Sequence, residues 1–354
     1  MRLYSGLEPF LFGVFIFMKS QSIVLVDAYS QIFRSFYAIR MLTNSRNEPV
    51  NAAFVFTKLL LQLEKKHASA YGAMLFDCGK VDFRLAINPL YKANRPPMPE
   101  ELKMQIPLIR RIAAAFGWQL LQHEGFEADD LIGGIAAKYR MFPVKIVSSD
   151  KDLTQLINQR VNMLLPASGG GFELRGVAEA VKKFGVPPEN MVDYLALLGD
   201  SADNIPGVPG IGPKSAVEIL QTFGPADSWL DSPEKIDAGS RVGKKLLPEL
   251  ETVRRNRELI RLRLELPEGL TDDVLPPVRG GVNWDEIREI CLDNSFNSIL
   301  KELPASGAAK PEKMVHICDE PDDLFSFANA GNEVRGNSAE KKKDEPQEIQ
   351  DELF

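Results

Sequence analysis

The sequence predicts an α/β fold: a mixed, mainly parallel sheet flanked by helices, joined to a smaller helical unit and followed by a disordered tail. Three observations lead there. Short β-rich apolar runs alternate with longer helical patterns, as parallel strands with helical crossovers require. Acidic residues recur just beyond those runs. A stretch dense in glycine and proline then opens a second helical region, and after Pro304 the composition turns polar.

In chain order, residues 10–17 (FLFGVFIF) are apolar but too short to span a bilayer. No small-residue cleavage site follows them, so Met18 reads as the native start and residues 1–17 as a start-site artefact or a disordered extension. Strands are expected at Ile23–Val26, Ala73–Phe76, Lys145–Val147 and Val161–Leu164. Helices are expected at Leu131–Tyr139 and Leu153–Gln159. From Met191 the chain is helical, then punctuated: Gly207, Gly210 and Gly212 with Pro206, Pro209 and Pro213 form a hairpin leading into a helix that starts near Lys214. Residues 240–305 return to helical spacing, with Trp284, Ile287, Ile290 and Cys291 as core positions. Beyond Pro304, little apolar periodicity remains to drive folding.

The formal net charge is −7, but residues 306–354 hold 6 Lys/Arg against 12 Asp/Glu and supply −6 of it. An acidic balance of this kind does not exclude a nucleic-acid partner. Cys78, Cys291 and Cys318 lie far apart and form no Cys-x-x-Cys pair, which argues against a disulfide framework or a zinc site and favours the cytosol.

Nine carboxylates carry the chemistry: Asp27, Asp77, Glu127, Asp129, Asp130, Asp150, Asp152, Asp200 and Asp203. In a parallel sheet, residues just past the strands share one crevice at the carboxyl edge. Taken singly, EADD before Leu131 and SDKD before Leu153 read equally well as helix caps. Together, so many like charges in one cleft repel by roughly 4 kcal/mol per close pair and need cations between them. All-oxygen donors suit Mg²⁺ or Mn²⁺. Two such ions can activate water and stabilise a leaving oxygen, so the expected reaction is metal-assisted phosphodiester hydrolysis. His67, His123 and His316 are scattered and lack any nucleophile–base context. The hairpin's backbone N–H groups and Lys214 can hold a phosphate, although an ordinary helix–turn–helix corner has the same pattern.

The runs VLVDAYSQIFRSFYA, FDCGKVDFRLAINPLYKANRPPMP, GFEADDLIGGIA, VSSDKDLTQL and GDSADNIPGVPGIGPKSA resemble, in order and spacing, the 5′-nuclease family that includes the 5′→3′ exonuclease domain of bacterial DNA polymerase I. The resemblance covers roughly residues 19–305. It implies a PIN-like catalytic domain at 19–185 and a helix–three-turn–helix subdomain at 186–305, with a linker at 306–345 and a terminal peptide at 346–354. Ala28 departs from the glycine common after the first acid, without touching the carboxylate itself.

The family's pattern assigns all nine acids to two or more Mg²⁺ or Mn²⁺ ions, with Asp200 and Asp203 distal. It makes Lys80–Lys103 a helical arch in which Arg84, Lys92 and Arg95 meet phosphate. Lys92 and Arg95 then polarise the scissile phosphate, Arg84 steers the strand and Tyr91 offers a stacking face. It gives Gly207, Gly210, Gly212 and Lys214 to duplex backbone, with a K⁺ ion at the hairpin. The partners implied are DNA with a 5′ flap, nick or RNA primer and, through Gln350, Leu353 and Phe354, the bacterial sliding clamp. The expected protein is a stand-alone, monomeric, cytoplasmic enzyme of the nucleoid with no membrane association. A non-catalytic DNA-junction binder and a PIN-type ribonuclease are the rival readings.

Overall fold

Ile23–Asp27 (β1) is a run of five residues, all buried, which suits a strand covered on both faces. In the computed structural model, which describes residues 22–79, 81–167, 171–270 and 276–304, this strand lies inside a six-stranded sheet. The other strands are Tyr71–Leu75 (β2), Gln119–Leu121 (β3), Val144–Val147 (β4), Val161–Pro166 (β5) and Phe172–Arg175 (β6). Their order is β3-β2-β1-β4-β5-β6; all neighbours run parallel except β6, which pairs antiparallel with β5.

Helices Ala28–Ala38 (α1), Asn51–His67 (α2), Asp82–Ile87 (α3), Glu100–Lys103 (α4), Ile106–Ala115 (α5), Ala128–Lys138 (α6) and Val177–Phe184 (α7) connect or flank the strands. Side chains alternate between the two faces. Val24, Val26, Met74 and Phe76 pack with residues of α1, α2 and α5. Ile23, Leu25, Ala73 and Leu75 pack with Leu131, Ile132 and Ile135 of α6 and Ala180 of α7.

A second core gathers Met191–Leu198 (α8), Pro213–Phe223 (α9), Gly243–Leu246 (α10) and Leu250–Ile260 (α11) around Trp229, Leu197 and Ile219. A two-residue ladder, Gly199–Asp200 (β7) with Ile205–Pro206 (β8), closes the loop that carries Asp200 and Asp203.

The chain then returns to the first unit. Gly72 N donates to Pro277 O, Arg279 N to Ala70 O and Gly280 N to Gly117 O, at 2.8–2.9 Å. Arg279 stacks its guanidinium on Trp118, 4.0 Å from the ring centroid, and pairs with Glu64 at 2.9 Å. Trp284–Asp293 (α12) and Asn297–Leu300 (α13) insert Ile287, Ile290, Cys291, Phe296 and Ile299 into the core that holds Val24 and Phe76. Residues 284–300 of the expected subdomain at 186–305 therefore pack on the core of the sheet.

Other expectations shift locally. The helix expected at Leu153–Gln159 is one 3₁₀ turn, Asp152–Leu156, because β5 begins at Val161 and Asn158 caps the intervening bend. The arch region, expected to be helical, holds the short helices α3 and α4 with turns and extended chain between them. Strands β3 and β6, written QLL and FELR, are too short and polar to announce themselves. The extension at 1–17, Lys80, the linker at 306–345 and the peptide at 346–354 lie outside the described residues. Among the described residues, no helix is long and apolar enough to cross a membrane.

Phe296 is 1% exposed and meets the Phe54 ring edge-on at 5.3 Å. Phe296→Ala is expected to cost about 3–5 kcal/mol in urea unfolding and to speed amide exchange in β1 and β2. Unchanged protection of those strands would contradict the placement of residues 276–304.

Candidate metal centre

Topology sets the first three acids side by side. Asp27 ends β1, Asp77 follows β2 by two residues and Asp150 follows β4 by three, and β1 lies between β2 and β4. Asp27 also caps α1: its Oδ1 accepts from Ser30 N at 3.2 Å and its Oδ2 from the Ser148 hydroxyl at 2.8 Å. Asp77 Oδ1 accepts from Ala128 N at 2.7 Å, which brings the start of α6, with Glu127, Asp129 and Asp130, to the same edge. Asp150 Oδ1 accepts from Asp152 N at 2.8 Å and shapes the turn after β4.

The nine carboxylates divide by what faces them. Four are satisfied by the chain's own cations. Glu127 accepts from Lys92 Nζ at 2.6 Å, Arg84 Nη1 at 3.0 Å and the Tyr91 hydroxyl at 3.1 Å. Asp130 forms a two-pronged pair with Arg84 at 2.7 and 2.8 Å. Asp200 pairs with Lys151 at 3.1 Å, and Asp203 with Arg95 and the Tyr91 hydroxyl. Burial pushes the Asp203 carboxyl up, but Lys92 and Arg95 outweigh it and hold the group below its ordinary range.

The other five, Asp27, Asp77, Asp129, Asp150 and Asp152, form no ion pair among the described residues, and their protonation answers to one another. Burial, then Asp77 and Asp150, raise Asp27 to about 7. Burial raises Asp77, and Glu127 adds to it against Lys92. Asp129 is driven well above the carboxylate range by burial and then by Asp150, Asp27 and Asp77. Asp150 is raised by burial despite the Asp152 N–H, and Asp152 by burial and then Asp150, Asp203 and Asp200. Asp152, Asp200 and Asp203 each bring one carboxylate oxygen within 4.8 Å of the others. Buried and part-buried carboxylates that resist ionisation and offer only oxygen match the donor set that hard divalent cations take.

Lys92 and Arg95, which cover Glu127 and Asp203, come from one segment. After α3, Lys92 adopts φ 56°, a left-handed conformation uncommon away from glycine, and its N–H donates to Asp203 O at 3.0 Å. Asn94 Nδ2 donates to Ser201 O at 2.6 Å, and Asn204 Nδ2 returns a bond to Leu90 O at 2.8 Å. The segment is thereby laid across the Asp200–Asp203 loop.

Three residues take partners other than the expected ones. Arg84, 1% exposed, spends its fork on Asp130 and Glu127 and its Nε on Leu259 O at 3.0 Å, so it has no free face for a strand. Asp130, with no exposed surface, accepts Arg84 with both oxygens and Arg263 N at 2.9 Å, which leaves none for an ion. Tyr91 is 8% exposed, with its hydroxyl on Glu127 and Asp203, and its ring is no open stacking platform.

Ser148 and Lys151 escaped the sequence reading. Ser148 lies two residues before Asp150 and Lys151 one after it, but nothing in their order says that Ser148 turns inward to Asp27 and Lys151 across to Asp200.

The hairpin lies on the other unit. A Cβ on Gly207 would fall 2.0 Å from Leu198 O, so only glycine lets the two backbone segments meet. Gly210 takes φ 72°, and its carbonyl accepts Lys245 Nζ at 2.7 Å, a cation supplied by the chain at that carbonyl. Gly212 is extended with open space around its Cβ position, and Lys214 is exposed in the first turn of α9.

Comparison with known proteins yields the following. Residues 22–185 match the family model described as 5′-3′ exonuclease, N-terminal resolvase-like domain, and residues 186–277 match 5′-3′ exonuclease, C-terminal SAM fold. A 5′-3′ exonuclease of Aquifex aeolicus is 35% identical over 285 residues, covering 80% of this chain and 95% of that one. DNA polymerase I of Rhizobium leguminosarum is 38% identical over 274 residues, 74% of this chain and 27% of the polymerase. The thermostable DNA polymerase I of Thermus filiformis is 34% identical, with 34% of its length covered, so the chain spans about a third of such relatives. In fold, the chain is similar to a T5 5′-exonuclease solved with zinc bound (TM-score 0.57, 22% identity, 80% of this chain and 99% of that one). It is also similar to the catalytic core of Rad2 solved with a DNA substrate (TM-score 0.53, 17% identity, 81% and 94%).

The raised carboxyls set a pH dependence. A carboxyl whose pKa rises on folding favours the folded state below the unfolded value of 3.8, and that contribution is lost as pH climbs through the folded value, about 7 for Asp27. In EDTA the melting temperature is expected to fall between pH 5 and pH 8, with a loss on the order of 2 kcal/mol or more. Mn²⁺ is expected to abolish the fall. A melting temperature that rises over this range in EDTA would contradict the assignment.

Proposed function

This chain belongs to the 5′-3′ exonuclease family, and from that premise we propose that it hydrolyses phosphodiester bonds at the 5′ ends, flaps and RNA primers of duplex DNA with divalent cations held by its buried acids. One observation supports the metal dependence above the others: buried Asp27 and the part-buried Asp77, Asp129, Asp150 and Asp152 converge with no lysine or arginine paired to them among the described residues. Asp27, Asp77, Asp129, Asp150 and Asp152 are the residues to hold Mg²⁺ or Mn²⁺, with Asp200 and Asp203 completing a neighbouring position. When bound, such ions supply the charge that activates water and offsets the leaving oxygen.

The rest of the work falls to the chain's own groups. Lys92 and Arg95 sit on Glu127 and Asp203, and each can exchange that carboxylate for a phosphate oxygen of an entering strand. Ser148 holds the Asp27 carboxylate in orientation, and the Ala128 N–H does the same for Asp77. The hairpin at Gly207–Gly212 and Lys214 bind duplex phosphates, so affinity should fall steeply with salt. A K⁺ ion at the hairpin carbonyls not taken by Lys245 belongs to the same proposal. A junction binder has no use for buried acids that destabilise the fold near neutral pH.

Asp77→Asn and Asp150→Asn are each expected to lower cleavage of a labelled 5′ flap by more than about 100-fold, the upper range for outer partners of a metal, while flap binding persists. Wild-type turnover in either variant would refute the roles given to these acids. Faster cleavage of single-stranded RNA than of flapped DNA would favour the ribonuclease reading.

The terminal Gln350, Leu353 and Phe354 are proposed to dock on a bacterial sliding clamp, two apolar anchors entering a groove, which would tie the enzyme to replication and repair. Deleting Gln350–Phe354 is expected to abolish co-elution with the clamp and to leave cleavage of short flap oligonucleotides intact. Retained co-elution would discard this part.

A further inference from the structure

The Arg84–Asp130 pair is buried beyond what either residue needs for a role at the surface, and its partners span three parts of the molecule. Arg84 lies on α3, the root of the segment that covers the acid basin. Asp130 lies on α6, one turn from Glu127 and next to Asp129, and accepts from Glu127 N at 3.3 Å. Arg84 Nε donates to Leu259 O at 3.0 Å and Arg263 N to Asp130 Oδ1 at 2.9 Å, so the end of α11 is tied to the same pair. The Arg263 guanidinium lies 3.4 Å from the Phe83 ring centroid and Arg84 4.6 Å from it, which encloses the junction.

The chain of contacts continues to the hairpin. One turn before Leu259, Asn256 has no exposed surface and donates from Nδ2 to Ala196 O at 2.9 Å and to Pro206 O at 2.7 Å. Pro206 immediately precedes Gly207. Hairpin, Asn256, Leu259, Arg84, Asp130 and the acids of α6 therefore form one uninterrupted line of hydrogen bonds and covalent turns.

A buried ion pair is a poor device for stability, because apolar residues of the same volume serve as well or better. Its attested use is to select one arrangement, and here that arrangement is the placement of the duplex-gripping hairpin against the acids.

Resting on the nuclease reading above, we infer that Arg84 and Asp130 are positioning residues that fix which phosphodiester of the bound strand reaches the acid basin. They touch neither substrate nor ion. They act by holding α11, and with it the hairpin, at one spacing from Glu127 and Asp129.

The test uses the full chain. Arg84→Met alone strands the buried Asp130 without a cation, so the informative variant is the double Arg84→Met/Asp130→Leu, which removes both charges. It is expected to melt within a few degrees of wild type and to bind Mn²⁺ with unchanged stoichiometry by calorimetry. On a 5′ flap, KM should stay within about twofold while kcat falls about 100-fold, as a misplacement near 1 Å produces, and product mapping should show cleavage spread over neighbouring phosphodiesters. Amide exchange at residues 205–212 should accelerate, a readout that needs no turnover. Arg84→Lys, which keeps the charge and loses the fork, is expected to behave likewise and serves if the double variant does not fold. Cleavage at the single wild-type position with unchanged kcat and hairpin exchange would overturn the inference, as would loss of a Mn²⁺ equivalent in the double variant. Failure of the wild-type chain to cut the flap refutes the nuclease reading instead, and hairpin exchange still decides the role of the pair.

Discussion

Desolvated like charge is the constraint on which the rest of this molecule turns. Parallel strands deliver Asp27, Asp77 and Asp150 to one edge, and the start of α6 and the Asp200–Asp203 loop add more acid to the same volume. Such a concentration is tolerable in only two ways, by protonation or by cations. The structure uses the chain's own cations for Glu127, Asp130, Asp200 and Asp203, and leaves Asp27, Asp77, Asp129, Asp150 and Asp152 with raised proton affinities. That division separates acids paired within the chain from acids without a lysine or arginine partner among the described residues.

The covering segment gains its meaning from the same division. Lys92 and Arg95 rest on carboxylates at the rim, in a backbone conformation that costs free energy at Lys92. A phosphate offers them an equivalent partner, so strand entry need not leave either cation unpaired. Arg84 differs in kind. It is sealed between units, and its geometry serves the distance between hairpin and acids rather than the substrate itself.

Much of this was legible in the sequence, for physical reasons that can be named. Strands β1, β2, β4 and β5 were found within two residues at either end because parallel strands buried on both faces are runs of apolar residues. The acids were found because topology alone sends residues past such strands to one edge. What escaped was pairing. Arg84 sits between Phe83 and Leu85, a hint of burial, yet only the fold reveals that α6 and α11 converge on it. Residues 276–304 carry the helical periodicity that was read correctly as core, but periodicity does not say which core, and here it is the sheet's.

The central claim, that the unpaired acids exist to bind hard divalent cations, is tested most directly by anomalous diffraction from crystals soaked in Mn²⁺ near pH 8. The account predicts Mn²⁺ peaks ligated by oxygens of Asp27, Asp77, Asp129, Asp150 and Asp152, with Asp130 still held by Arg84. A basin without peaks, its oxygens drawn into pairs with Lys92, Arg95 or Lys151, would contradict it.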